Sequence, residues 1–173
     1  AALVLMLSSP ALAGDLAFVT SQNADMVTLV DTASGQVLAR TPVAGKPAPV
    51  AYDPAAGRAY VIAAETGRLS VMDESGGVTA SRDLGEGAFG LAVAPGGGLF
   101  VTDWFGAHLT RLDADLKPLW QVPTGAAPAG VAVSDDGRRV ATADRDDDRI
   151  TIFDAATGTL LHRVATAGAH PFG

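Results

Sequence analysis

Four times in this 173-residue chain an aspartate closes a short alternating apolar stretch. The stretches are Val27-Thr-Leu-Val-Asp31, Leu69-Ser-Val-Met-Asp73, Leu109-Thr-Arg-Leu-Asp113 and Ile150-Thr-Ile-Phe-Asp154, at intervals of 42, 40 and 41 residues. Other landmarks keep the same phase. Leu16-Ala-Phe-Val-Thr20, Ala59-Tyr-Val-Ile62, Leu99-Phe-Val-Thr102 and Val140-Ala-Thr142 come before them, and Ser34-Gly35, Gly76-Gly77 and Thr157-Gly158 follow. Val50-Ala-Tyr52, Leu91-Ala-Val93 and Val131-Ala-Val133 open the later units. Independent landmarks agreeing on one period identify a repeat architecture, in which each unit is one supersecondary structure.

Each unit holds up to four runs rich in Val, Ile, Leu and Thr, bounded by Gly, Pro, Asp or Ser. Runs of this length and composition are strands, and no segment sustains an apolar stripe at helical spacing. Pro54-Ala-Ala-Gly57, Pro95-Gly-Gly-Gly98 and Asp135-Asp-Gly137 read as tight hairpin turns, with glycine supplying the left-handed backbone. The 20 glycines and 10 prolines fit that many turns. Four antiparallel strands in about 40–45 residues is the period of a β-propeller blade. The expected class is all-β: a propeller of four-stranded antiparallel blades, about four in number, in repeats at residues 15–48, 49–89, 90–129 and 130–170. With strands labelled A to D, the first repeat begins at strand B, and residues 167–173 re-enter the approach to a strand A. Propellers remove exposed sheet edges by closing the ring. We therefore expect a fragment, cut at both ends, whose open edges meet missing blades or another copy.

Composition narrows the function classes. At 48% hydrophobic the chain is too apolar for disorder. A net charge of −7 with no basic stripe excludes nucleic acid as a partner. The lack of cysteine removes disulfides, thiolate metal sites, a cysteine nucleophile and C-x-x-C-H haem attachment. At the N-terminus, Ala1-Ala-Leu-Val-Leu-Met-Leu7, then Ser8-Ser-Pro10 and Ala11-Leu-Ala13, read as the second half of a secretory signal with a small-x-small cleavage site. Residues 1–13 are thus expected as a signal remnant and 14–173 as the propeller, placed in the periplasm or secreted. The apolar run is far shorter than the ~20 residues needed to span a bilayer.

The fourth repeat carries a family likeness. Gly130-Val-Ala-Val-Ser-Asp-Asp-Gly-Arg-Arg-Val-Ala-Thr142, followed by Asp146-Asp-Asp-Arg-Ile-Thr-Ile-Phe-Asp-Ala-Ala-Thr-Gly158, closely resembles the YVTN-type β-propeller repeat. The second repeat departs from it at Tyr60-Val-Ile-Ala-Ala-Glu65 and the third at Asp103-Trp-Phe-Gly106. Such propellers also look like those of the methylamine dehydrogenase heavy subunit and the cytochrome d1 domain. The likeness implies a ring of seven blades and identifies architecture more firmly than activity.

In an A-B-C-D meander, the A–B and C–D turns share one face and the B–C and D–A connectors the other. The first face is monotonous, dictated by hairpin geometry. The second is irregular, and departures from a repeat are where ligand specificity can reside, because the scaffold does not require them. We expect any site on this B–C/D–A face, with Lys46, Glu86, Phe89, Trp104, Phe105, His108, Arg145, His170 and Phe172 as candidate contacts. Trp104 and Phe105 are two large aromatics in a loop, where they either pack on a neighbouring blade, the reading preferred for this pair, or line a pocket. Asp144, Asp146 and Asp148 have the spacing that begins a calcium loop, without its sixth-position glycine or distal glutamate; a polar hairpin turn, the usual role of this repeat position, is the reading preferred, with bound calcium as the alternative. Gly85-Glu-Gly-Ala-Phe-Gly90 matches G-x-G-x-x-G but leads into a strand, where dinucleotide binding needs a helix.

His108, His162 and His170 do not assemble into a metal site from sequence, although the likeness to cytochrome d1 makes axial haem ligation conceivable. His170 resembles the histidine or arginine often found before proline in these repeats. Neither G-x-S-x-G nor H-E-x-x-H occurs, and no catalytic residue is assigned. The expected role is an exported, non-catalytic binding or scaffold module for a protein or small ligand, with no cofactor assigned. The alternative is the propeller subunit of a periplasmic quinoprotein or haem-dependent oxidoreductase, which would bring a quinone or haem; calcium is the third candidate.

Overall fold

A computed structural model describes residues 15–168 and 170–172; the signal segment expected over residues 1–13 lies outside them. Fifteen strands form four antiparallel sheets. The first holds β1 (Leu16–Ser21), β2 (Met26–Asp31) and β3 (Gln36–Pro42), and the second β4 (Pro47–Asp53), β5 (Arg58–Ala63), β6 (Arg68–Asp73) and β7 (Val78–Asp83). The third holds β8 (Ala88–Val93), β9 (Leu99–Asp103), β10 (His108–Leu112) and β11 (Pro118–Pro123). The fourth holds β12 (Pro128–Val133), β13 (Arg139–Asp144), β14 (Arg149–Asp154) and β15 (Leu160–Ala165). Each sheet runs in sequence order as a meander, with β4, β8 and β12 side by side at the inner edge. This is a β-propeller. Among the described residues no helix is long and apolar enough to cross a membrane.

Alternation of side chains across each strand builds the cores between blades. In β5, Ala59 and Val61 face the first sheet and join Val27, Val43 and Met72. Tyr60 and Ile62 face the third sheet and join Leu69, Leu99 and Val101. Phe100, Leu109, Val140 and Phe153 fill the third interface. Middle strands are covered on both faces, so β5 reads as a continuous apolar run. The outer strand β15 is exposed along its length.

Two irregularities recur in phase. The C strand slips against the D strand at Leu29/Val30, Val71/Met72, Arg111/Leu112 and Ile152/Phe153, just before the repeating aspartate. The A and B strands slip between Pro47 and Val50, Ala88 and Leu91, and Pro128 and Val131. Bulges of this kind bend a strand and increase its twist, which here happens at matching places in each blade.

The repeating aspartate has a local task. The Asp31 carboxylate accepts the N–H of Ala33 at 2.8 Å and of Ser34 at 3.2 Å. Asp113 accepts from Asp115 and Lys117 at 2.9 and 2.8 Å, and Asp154 from Ala156 and Thr157 at 3.1 and 2.9 Å. Asp73 accepts from Ser75 and Gly77 at 2.9 and 3.0 Å. Each is an Asx turn that starts the C–D hairpin.

Candidate functional site

The B–C and D–A connectors meet at one end of the blades and are tied to each other by hydrogen bonds. The Lys46 N–H donates to the Asp25 carboxylate at 2.8 Å, and the Glu65 N–H to the Gly45 carbonyl at 3.0 Å. The Trp104 N–H donates to the Gly87 carbonyl at 2.7 Å, and the Arg145 N–H to the Ala127 carbonyl at 3.1 Å. The His170 N–H donates to the Asp148 carboxylate at 2.7 Å. The backbone at the end of each B–C loop turns left-handed, at Asp25, Gly67, Ala107 and Asp148.

On this frame three aromatics, one from a strand and two from the connectors, converge. Phe89 begins the third blade, Trp104 lies in the β9–β10 loop, and Phe172 follows β15. Phe89 meets Trp104 edge-on, with ring centroids 5.4 Å apart, and Phe172 lies 6.0 Å from Phe89 and 6.1 Å from Trp104. The Arg145 guanidinium sits over the Trp104 ring at 5.9 Å, a cation–π distance, and is paired to Asp146 at 2.6 Å. Trp104 is therefore half-buried, engaged by its neighbours yet bordering a cavity. Phe105 points outward and is 77% exposed.

The cluster separates two hollows. A cavity of about 250 Å³ is walled by Phe89, Trp104, Phe105 and Phe172, with Ala64 and Gly87 at its base and Glu86 beside it. A wider cleft of about 710 Å³ runs along the inner strands past Pro49, Leu91, Val131, Thr142 and Ile150, and it shares Phe89 and Phe172. The strand residues of this cleft were not among the sequence candidates. Their signal was the alternation of the A strands, which reads equally as packing.

Other candidates fall elsewhere on the same end. Lys46 is exposed and pairs with Glu65, whose carboxylate raises its pKa through a hydrogen bond and then through charge. His108 opens β10 and borders neither hollow, while His170 caps the fourth blade's loop, its Nδ1 lying 3.2 Å from the Arg145 carbonyl. His162 lies exposed on β15. Gly85-Glu-Gly-Ala-Phe-Gly90 runs into β8.

The carboxylates at Asp144, Asp146 and Asp148 do not gather around one point, and among the described residues no cluster of three His, Asp or Glu side chains could hold a metal ion. Asp144 is fully buried and accepts from the Gly125 N–H at 2.9 Å, from the Thr142 and Thr151 hydroxyls, and from Arg149 at 3.3 Å. Asp146 goes to Arg145, and Asp148 to the backbone of His170. Asp144 is thus an anchor that fastens the connector before β12 to the B–C hairpin; a Cβ at Gly125 would lie 2.5 Å from its carboxylate. The physical reason is burial, because a buried carboxylate must be satisfied by protein donors.

Comparison with solved structures agrees with the fold. Streptogramin B lyase superposes with a TM-score of 0.79 at 18% identity, over 91% of this chain and 54% of that one. Hydrazine synthase from Kuenenia stuttgartiensis gives 0.75 at 21%, over 85% and 45%. The periplasmic gluconolactonase PpgL from Pseudomonas aeruginosa gives 0.75 at 19%, over 90% and 52%. The chain thus spans about half the length of these structures, and identities this low establish shared architecture alone. No curated protein sequence matches the chain. The profile of the PQQ_2 family, described as outer membrane protein assembly factor BamB, matches residues 50–172, and the chain belongs to that β-propeller repeat family.

Proposed function

We infer that the chain is an exported propeller of YVTN-type repeats whose B–C/D–A face receives a protein or small ligand, as a binding or scaffold module. The observation that carries this reading is the convergence of Phe89, Trp104 and Phe172 beside a cavity on the B–C/D–A face, with the exposed Phe105 at its rim. The blade framework needs none of them. At the matching positions of the fourth repeat, Arg145 and Asp146 stand where Trp104 and Phe105 stand in the third, and they form an equally regular B–C turn. Exposed aromatic surface is costly to keep, and in soluble domains it marks an interaction site. The apolar N-terminal segment with its small-x-small site supports export, and the motifs of the fourth repeat support the YVTN form.

The test replaces the aromatics with their repeat equivalents, W104R/F105D, in the protein produced in its native host. The variant is expected to keep its circular dichroism spectrum and lose the molecules that co-purify with the wild type. Unchanged co-purification would remove the loop face from consideration. Recovery of the protein from the cytoplasmic fraction would contradict export.

A further inference from the structure

The cavity beside the aromatic cluster has a chemistry more specific than an apolar hollow. Its walls are the rings of Phe89, Trp104, Phe105 and Phe172, and its one ionisable lining residue is Glu86. Glu86 is exposed, and its carboxylate forms no hydrogen bond or ion pair among the described residues. The other acidic side chains of this end are engaged: Glu65 with Lys46, Asp146 with Arg145, and Asp147 with Arg149. Counted between strands, the connectors here carry six carboxylates against two permanent cations, so the face is acidic, like the chain as a whole. The cluster already holds a cation, since the Arg145 guanidinium lies over Trp104. Asp146 neutralises that charge and leaves Glu86 to attract another.

We propose that this cavity is a binding site for a small quaternary ammonium solute, with the trimethylammonium group seated against the aromatic rings that line it and Glu86 supplying the counter-charge. This rests on the loop face being the binding surface and names the ligand class for it. Electron-rich ring faces attract cations, and aromatic cages are the recurrent solution for quaternary ammonium groups. A primary ammonium carries three N–H donors that must be satisfied on burial, and the cavity wall offers no ring of acceptors. A trimethylammonium group makes no such demand. At about 250 Å³ the cavity falls below the roughly 300–1,000 Å³ usual for drug-sized ligands, which suits a headgroup-sized solute.

The experiment titrates choline into the whole chain while following the indole N–H signals of Trp104 and Trp120 by NMR. Trp120 serves as an internal control, its indole N–H being committed to the Ala156 carbonyl at 3.1 Å in another part of the fold. Choline is expected to move the Trp104 signal alone and to bind about tenfold more tightly than 3,3-dimethylbutan-1-ol, its neutral isostere. Glu86→Gln, an exposed change with no partner to lose, should weaken choline binding several-fold and leave the isostere unaffected. Equal binding of choline and the isostere would overturn the cation site while leaving an apolar ligand site on the loop face. No movement of Trp104 at tens of millimolar choline, or binding to phosphatidylcholine vesicles without any response to free choline, would overturn it as well.

Discussion

The residue that sets the period of this chain is an aspartate whose carboxylate organises a turn. Hydrogen bonds from the Ser75 hydroxyl and the Gly77 N–H hold the Asp73 pKa below its usual value of 3.8, and Ser34 and Thr157 donors do the same for Asp31 and Asp154. A carboxyl whose pKa is lower folded than unfolded contributes stability that is complete above the unfolded value and is lost as pH falls through the folded one. In urea denaturation the wild type should therefore be more stable than Asp73→Asn at neutral pH, and the gap should close as pH drops below about 4. A gap that stays constant down to pH 2 would show that the charge has no part in the turn. Backbone conformation gives a second residue-scale contrast. Gly67 and Ala107 hold equivalent left-handed positions, but a Cβ at Gly67 would lie 1.6 Å from the Gly85 carbonyl oxygen. Gly67→Ala should cost about 3 kcal/mol or more. Ala107→Gly, which relieves a left-handed backbone, should leave stability unchanged or raise it by up to about 1 kcal/mol. Urea midpoints for the two variants check both signs.

At the scale of strands and blades, the energy lies between sheets. Phe100 is buried against Leu109, Val140 and Phe153 and lies under the Arg111 guanidinium at 4.6 Å. Phe100→Ala should cost about 3–5 kcal/mol. Trp104 is half-buried at the edge of its cavity, so Trp104→Ala should cost clearly less, on the order of 1–2 kcal/mol. A Trp104 penalty as large as that of Phe100 would make it a core residue and weaken its assignment to a ligand surface. Period and strand count were legible in the sequence because alternation and turn residues are local signals. The bulges at Val71/Met72 and Ala88/Leu91 were not. They arise from fitting twisted strands to a neighbouring sheet, and Val, Met, Ala and Leu carry no mark of it.

At the scale of the whole molecule, the B–C/D–A end departs from the repeat in its side chains and not in its backbone: between strands its connectors keep one length, and each B–C loop ends left-handed. The expectation of an irregular face is corrected to that extent; what sequence does show is the change of side chains, as at Trp104 and Phe105 against Arg145 and Asp146, because such changes stand out against a repeat. The site's composition could not be read that way. Trp104 and Phe172 lie far apart along the chain and meet only because the connector after the fourth blade reaches back toward the third. The same reasoning explains Asp144, whose spacing with Asp146 and Asp148 also fitted the start of a calcium loop but whose buried carboxylate turns inward to Gly125, Thr142 and Thr151. Shared architecture with a lyase, a gluconolactonase and a hydrazine synthase shows how little the scaffold dictates about chemistry; the loop face has to be tested on its own. The most direct measurement places a photo-activated cross-linking residue at Phe105, on the B–C/D–A face, or at Asp135, exposed in the β12–β13 turn of the opposite face. With both proteins in the native host, irradiation should give discrete adducts from position 105 and none from position 135. Adducts from position 135 alone, or equal adducts from both faces, would contradict the account.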